Sequence, residues 1–217
     1  MKTFAEDLTP DRQIAVASAA PADRDALVAL LALDQRFGAI VRTARDPMIG
    51  QMRLTWWHDA LNQLDRGPPP AEPLLQALAG EVLPRGVAGA ELALLVEGWE
   101  MLLEAMPDEP AGFDAYAEAR GGGLFALAGR VLGADVAALR TAGQGWALAD
   151  LASHSSDAAL AGAIRRHASG VLQRAFANRW DAARAIGILA VLARLALGDR
   201  SPLAKSLIVA RFRMTGR

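Results

Sequence analysis

The sequence predicts an all-α fold, a single helical bundle spanning residues 1–217, on three observations. Nearly every segment carries apolar residues at three- and four-residue steps, the spacing of one helix face, and no run shows the period-two alternation of a half-buried strand. Pro and Gly punctuate these segments at short intervals, at Gly67, Pro84, Gly86, Pro107, Pro110, Gly133, Gly198 and Pro202. No fixed-period repeat or low-complexity linker divides the 217 residues, a length that suits one domain with a sizeable core.

Taken in order, Thr9 and Pro10 form an N-cap and first-turn pair, opening a helix that closes before Pro21. Asp23 starts a second helix that runs to about Arg45. Asp46 and Pro47 restart the chain, and Ile49, Met52, Trp56, Ala60 and Leu64 then form one stripe until "GPPP" ends the helix. Further helices are expected over 73–83, 88–106, 113–132, 135–152, 158–177, 180–197 and 202–213. The most apolar stretch, "AIGILAVLARLAL" from 185 to 197, is shorter than the roughly 20 residues of a spanning helix. It also contains Arg194, so it is expected to lie in the core or on the surface.

Bulk composition excludes several functions. A net charge of -1 supplies no dense positive face for nucleic acid. Zero cysteines remove disulfides, thiolate metal sites and cysteine nucleophiles. The opening "MKTFAEDLTPDRQ" places acidic residues where a secretory signal needs an apolar core, so a cytoplasmic location is expected.

Three stretches could carry chemistry. In "DPMIGQMRLTWWHDAL", Trp56 and Trp57 point about 100° apart on a helix, so one enters the core and the other flanks it. Both are candidates for the wall of a cavity, while His58 and Asp59 lie on the polar side and are expected to be solvated. In "GWALADLASHSSDAAL", Asp150, His154 and Asp157 recur at four- and three-residue steps, which could gather a divalent cation, although Asp157 could equally cap the next helix. In "RGGGLF", Gly121, Gly122 and Gly123 weaken a helix by about 1 kcal/mol each relative to alanine, so close packing or room beside a cavity should compensate. A buried tryptophan of the 56–57 pair is the expected neighbour of these glycines.

The segments "ALLALDQRFGAIVRTARDPMIGQMRLTWWHDAL", "YAEARGGGLFALAGRVLG" and "AGQGWALADL", in this order, resemble successive helices of the squalene/phytoene synthase family. The branch they most resemble includes complex I assembly factors and their bacterial relatives. This resemblance implies the class I isoprenoid synthase fold, a helical bundle around a central cavity, with Trp56, Trp57, Tyr116, Gly122 and Trp146 as cavity lining. Active members of the family hold Mg²⁺ on two aspartate-rich motifs and join prenyl diphosphates, because a hard cation neutralises the departing diphosphate.

Laid on this chain, the first motif falls on Gly38, Ala39, Ile40, Val41 and Arg42, which leaves no carboxylate. The second falls near Asp150, Ser153, His154 and Ala158. The resemblance with degenerate motifs implies a non-catalytic protein, a binding or assembly factor for a membrane-complex subunit or a prenyl lipid, with no cofactor. Two alternatives stay open: a prenyl transferase with an unconventional Mg²⁺ site, and a helical interaction module without ligand. Finally, "SPLAKSLIVARFRMTGR" combines Lys205, Arg211, Arg213 and Arg217 with Leu203, Leu207, Ile208 and Val209. It is either a basic amphipathic helix for peripheral membrane contact or a last core helix.

Overall fold

The computed structural model describes residues 2–104, 107–134, 136–177, 180, 183–198 and 201–216, and among them there are helices and no strand. The helices are α1 (Lys2–Asp7), α2 (Pro10–Ala17), α3 (Arg24–Thr43), α4 (Pro47–Gln63), α5 (Pro73–Glu81), α6 (Gly89–Ala93) and α7 (Leu95–Glu104). They continue with α8 (Pro110–Tyr116), α9 (Gly123–Val131), α10 (Val136–His154), α11 (Ala158–Ala175), α12 (Arg184–Ala196) and α13 (Pro202–Thr215). The expected helix over 88–106 is broken at Leu94, and α1 is a short element that the periodicity does not disclose.

Several starts follow from local chemistry. The Asp46 carboxylate accepts from the Met48 N–H at 2.9 Å, directly before Pro47. Glu72 accepts from the N–H groups of Leu74 and Leu75 in the same way ahead of Pro73. Thr9 behaves differently from the expectation: its side chain makes no cap bond, and its backbone N–H donates to Gln35 Oε1 at 3.2 Å. The start of α2 is therefore tied to α3 by a tertiary contact.

The centre of the bundle is α3, where Ala26 to Asp34 is an unbroken buried run, surrounded by α1, α2, α4, α5, α7 and α9. On the other side α10 packs against α9, α11 and α12. The 185–197 stretch is indeed core: Ile186, Ile188, Leu189 and Ala190 are all buried in α12. Among the described residues no helix is long and apolar enough to cross a membrane.

Between α8 and α9 the chain stays helical but widens into a π-helical segment, Ala117–Gly122. Such single wide turns rotate side chains out of the α-register and occur often at functional sites. Gly121 within it packs against α10: a Cβ on Gly121 would overlap the Gly143 carbonyl, and one on Gly143 would overlap the Gly121 carbonyl. The backbones touch, so the packing compensates for the weak helix propensity of this run. Contrary to expectation, no tryptophan of the 56–57 pair fills this space. Trp57 is buried against Phe37 of α3, with ring centroids 5.9 Å apart, and Gly123 faces Leu95.

Candidate functional site

Three charged side chains are buried in the described chain, and all three meet at one place: Arg12 of α2, Asp34 of α3 and Arg120 of the π segment. Arg120 Nε donates to Asp34 Oδ1 at 3.1 Å and its Nη1 donates to Asp150 Oδ2 at 2.7 Å. Arg12 pairs with the other oxygen of Asp34 and donates to Gln35 Oε1 at 3.0 Å. Trp99 Nε1 of α7 completes the shell of Asp34 at 3.1 Å. Two guanidinium groups thus face two carboxylates, and the formal charges cancel.

Aromatic rings enclose the arginine. The Arg120 guanidinium carbon lies 3.9 Å from the Trp99 ring centroid and 4.9 Å from that of Trp146, and Nη1 donates to the Tyr116 hydroxyl at 2.5 Å. Planar guanidinium groups suit this environment because they stack on rings and donate in their own plane. The π segment helps to place Arg120: Gly98 of α7 lies directly beneath its backbone, where a Cβ would come within 2.7 Å of the Arg120 nitrogen.

Burial and pairing pull in opposite directions. Burial alone would lower the pKa of Arg120, yet Asp34, Tyr116 and Asp150 together hold it well above its ordinary value. At Arg12 burial wins and the pKa is lowered, despite Asp34. Burial would raise Asp150, but Arg120, His154 and Arg12 hold its carboxyl below the usual range. Burial pushes the Tyr116 phenol up to about 12. Among the described residues no buried side-chain nitrogen or oxygen lacks a hydrogen-bond partner.

Next to this network is a cavity of about 290 Å³, bordered by Arg12, Asp34, Arg42, Trp146, Asp150 and His154 among others. Of the lining residues expected from sequence, Trp146 borders it and Tyr116 stands behind Arg120. Gly122 faces Glu118 instead. Trp57 is buried against Phe37 and does not border this cavity, and Trp56 is 48% exposed, edge-on against Trp57 in a surface pocket with Arg36 and Arg53. Of the polar trio, Asp150 and His154 stay together at the cavity, with His154 Nδ1 3.7 Å from Asp150 Oδ1, and Asp157 departs. Asp150 points to Arg120, His154 is exposed with Nδ1 2.8 Å from the Asp150 carbonyl oxygen, and Asp157 caps α11 through the N–H groups of Ala159 and Leu160. His58 and Asp59 touch each other at 3.2 Å on the surface.

Sequence reasoning missed Arg12, Asp34 and Arg120. The signal was present in two of them: Asp34 interrupts the apolar run "ALVALLALD", and Arg120 precedes three glycines in an apolar helix. Charges on a core-facing stripe need partners, and two such charges of opposite sign could have been paired.

A family model described as squalene/phytoene synthase matches residues 9–187. The chain belongs to the squalene/phytoene synthase family. Comparison with curated proteins gives no sequence match. Among solved structures the chain is similar to one described as a crystal structure of a dehydrosqualene synthase in complex with ligand. The TM-score is 0.75 at 12% identity, covering 98% of this chain and 94% of that one. At that identity the likeness shows the fold, the all-α isoprenoid synthase bundle.

The Mg²⁺ that the squalene/phytoene synthase family implies can be tested against the residues present. A Mg²⁺ site needs several hard oxygens free to turn to the cation. Here both interior carboxylates, Asp34 and Asp150, are held by guanidinium groups, and among the described residues no three of His, Asp and Glu gather as a metal site. At the first motif, Gly38 has no side chain, and that space is taken by Trp99 and Arg42: a Cβ would lie 2.7 Å from the indole of Trp99 and 2.8 Å from Arg42 Nη1. These residues do not fit a magnesium cluster.

Proposed function

We propose that this member of the squalene/phytoene synthase family is non-catalytic and acts as a binding or assembly factor. The observation that carries the reading is the neutral cluster of Arg12, Asp34, Arg120 and Asp150, in which arginines take up the carboxylates a cation would need. An arginine at that place repels a divalent cation, and removing both arginines would leave the buried Asp34 carboxylate without a counter-charge. Trp99 adds a steric reason, since it occupies the room a first-motif aspartate at position 38 would require.

A binding role is supported by the α4 surface. Met48, Ile49, Met52 and Trp56 are 71%, 49%, 67% and 48% exposed on successive turns, with Arg36 and Arg53 beside Trp56. Trp, Met and Arg are the residues enriched at the centres of protein interfaces. The complex I assembly branch remains the class of partner this reading names, and a prenyl lipid is the alternative ligand.

The test is incubation of the purified protein with farnesyl or geranylgeranyl diphosphate and Mg²⁺. The expected result is no condensed C30 or C40 product. Product that disappears in Asp150→Asn would overturn the reading in favour of an unconventional enzyme.

A further inference from the structure

Charge is divided unevenly along this chain. Residues 1–157 carry 12 Lys and Arg against 22 Asp and Glu, whereas residues 158–217 carry 11 against 2. The overall charge of -1 hides this asymmetry. A basic segment of this kind selects for an anionic partner.

The last helix has two apolar faces. Its inward face consists of Phe212, buried and edge-on to Phe176 and Trp180 at 5.8 Å each, with Ile208 and Val209 packed on the core. That face packs α13 against α12 and against the Phe176 and Trp180 rings. The outward face carries Leu203, Leu207 and Met214, which are 72%, 63% and 74% exposed, with exposed Ala210 between them. Steps of four, three and four residues place these on one line along the helix. Arg211 and Arg213, both exposed, lie to either side of it, about 80° from the stripe. The Arg184 guanidinium holds the terminal carbonyls of α13, donating to Arg213 O at 3.1 Å and Met214 O at 2.8 Å, so the helix is anchored where its exposed methionine stands.

An exposed apolar line flanked by cations has a specific use. Nucleic acid would engage the arginines but gains nothing from Leu203, Leu207 and Met214. A neutral apolar partner would cover the leucines but has no need of the basic excess. A surface of anionic lipids uses both, taking the apolar side chains below the headgroups and the guanidinium groups against the phosphates.

We propose that α13 is a membrane-docking helix that lies on anionic lipid surfaces through Leu203, Leu207 and Met214, with Arg211 and Arg213 at the phosphate level. The site is distinct from the interior arginine cluster, so it does not depend on whether that interior is catalytic.

Flotation with vesicles of phosphatidylcholine alone, and of phosphatidylcholine mixed with phosphatidylglycerol, tests it. The intact protein should float with the mixed vesicles at low salt, remain behind with phosphatidylcholine alone, and partly release at high salt. Arg211→Gln and Arg213→Gln should each lower the partition coefficient about fivefold. The double variant Leu203→Ser/Leu207→Ser should abolish flotation with its charge unchanged. All four positions are exposed, and matching circular dichroism checks that the variants stay folded. Because the chain has no cysteine, Leu207→Cys can also carry an environment-sensitive dye, which should shift to the blue on mixed vesicles only. The proposal is overturned if the protein stays soluble at low salt, floats equally on both vesicles, or floats unaltered after the leucine substitutions. It is equally overturned if the dye does not shift, or if RNA oligonucleotides are retained through Arg211 and Arg213 while vesicles are not.

Discussion

Replacing Asp34 by Asn keeps the shape of the side chain and an acceptor for Trp99, but removes the charge that faces Arg12 and Arg120. Asp34 is 2% exposed, so water does not replace the lost charge. Breaking a buried ion pair from one side costs about 3–5 kcal/mol, because the partner is left desolvated. Asp150 still faces Arg120 at 2.7 Å, which favours the lower end of that range. In a chain of 217 residues, where 1 kcal/mol shifts the midpoint by about 2–4 °C, Asp34→Asn should lower Tm by about 6–20 °C. Thermal and urea unfolding followed by circular dichroism measure it. The sign discriminates between mechanisms: acids gathered to hold a cation repel one another without it, and neutralising one would then stabilise the metal-free protein. A Tm unchanged or raised in Asp34→Asn would refute the ion-pair account.

Four further outcomes follow from the same geometry. Tyr116 is the single tyrosine, so absorbance near 295 nm reports it alone; little tyrosinate should form at pH 10, and stability should fall between about pH 10 and 12, where the unfolded phenol has released its proton and the folded one has not. Asp150 has a lowered pKa, so its contribution is present above the ordinary carboxylate value and is lost as pH falls through the lowered one; Asp150→Asn should flatten the acid limb of the stability curve below about pH 4. Trp57→Ala should cost about 3–5 kcal/mol and Trp56→Ala under about 1 kcal/mol in denaturant titrations, because one ring is buried and the other half exposed. Gly38→Asp, which reinstates a first-motif acid, should destabilise by about 1–3 kcal/mol through collision with Trp99, and a neutral or stabilising result would show that the indole gives way.

The helices were legible because their apolar spacing and their Pro and Gly breaks are local signals: α3, α4, α10, α11 and α13 begin within about one residue of the expected positions, whereas α12 begins at Arg184 rather than 180. The wide turn at Ala117–Gly122 was not, since it depends on the close approach of Gly121 to Gly143 on another helix. Trp56 illustrates a limit of periodicity: in the stripe Ile49, Met52, Trp56, Ala60 and Leu64 the first three residues are exposed and the last two buried, while the neighbouring row Gly50, Leu54, Trp57 and Leu61 is buried throughout. Both stripes have helical spacing, so the pattern alone could not choose. The interior site was legible only as an absence of motif acids at Gly38 and Arg42. What replaced them came from α2, α3, the π segment and α10, a convergence that no single stretch of sequence records.

The most direct test of a closed arginine–carboxylate cluster in place of a metal site is a Mg²⁺ titration of the purified protein, followed by calorimetry and by Tm. The expected result is no saturable heat at millimolar Mg²⁺ and an unchanged Tm, since a ligand that does not bind the native state cannot stabilise it. Saturable binding that raises Tm and is lost in both Asp34→Asn and Asp150→Asn would contradict it.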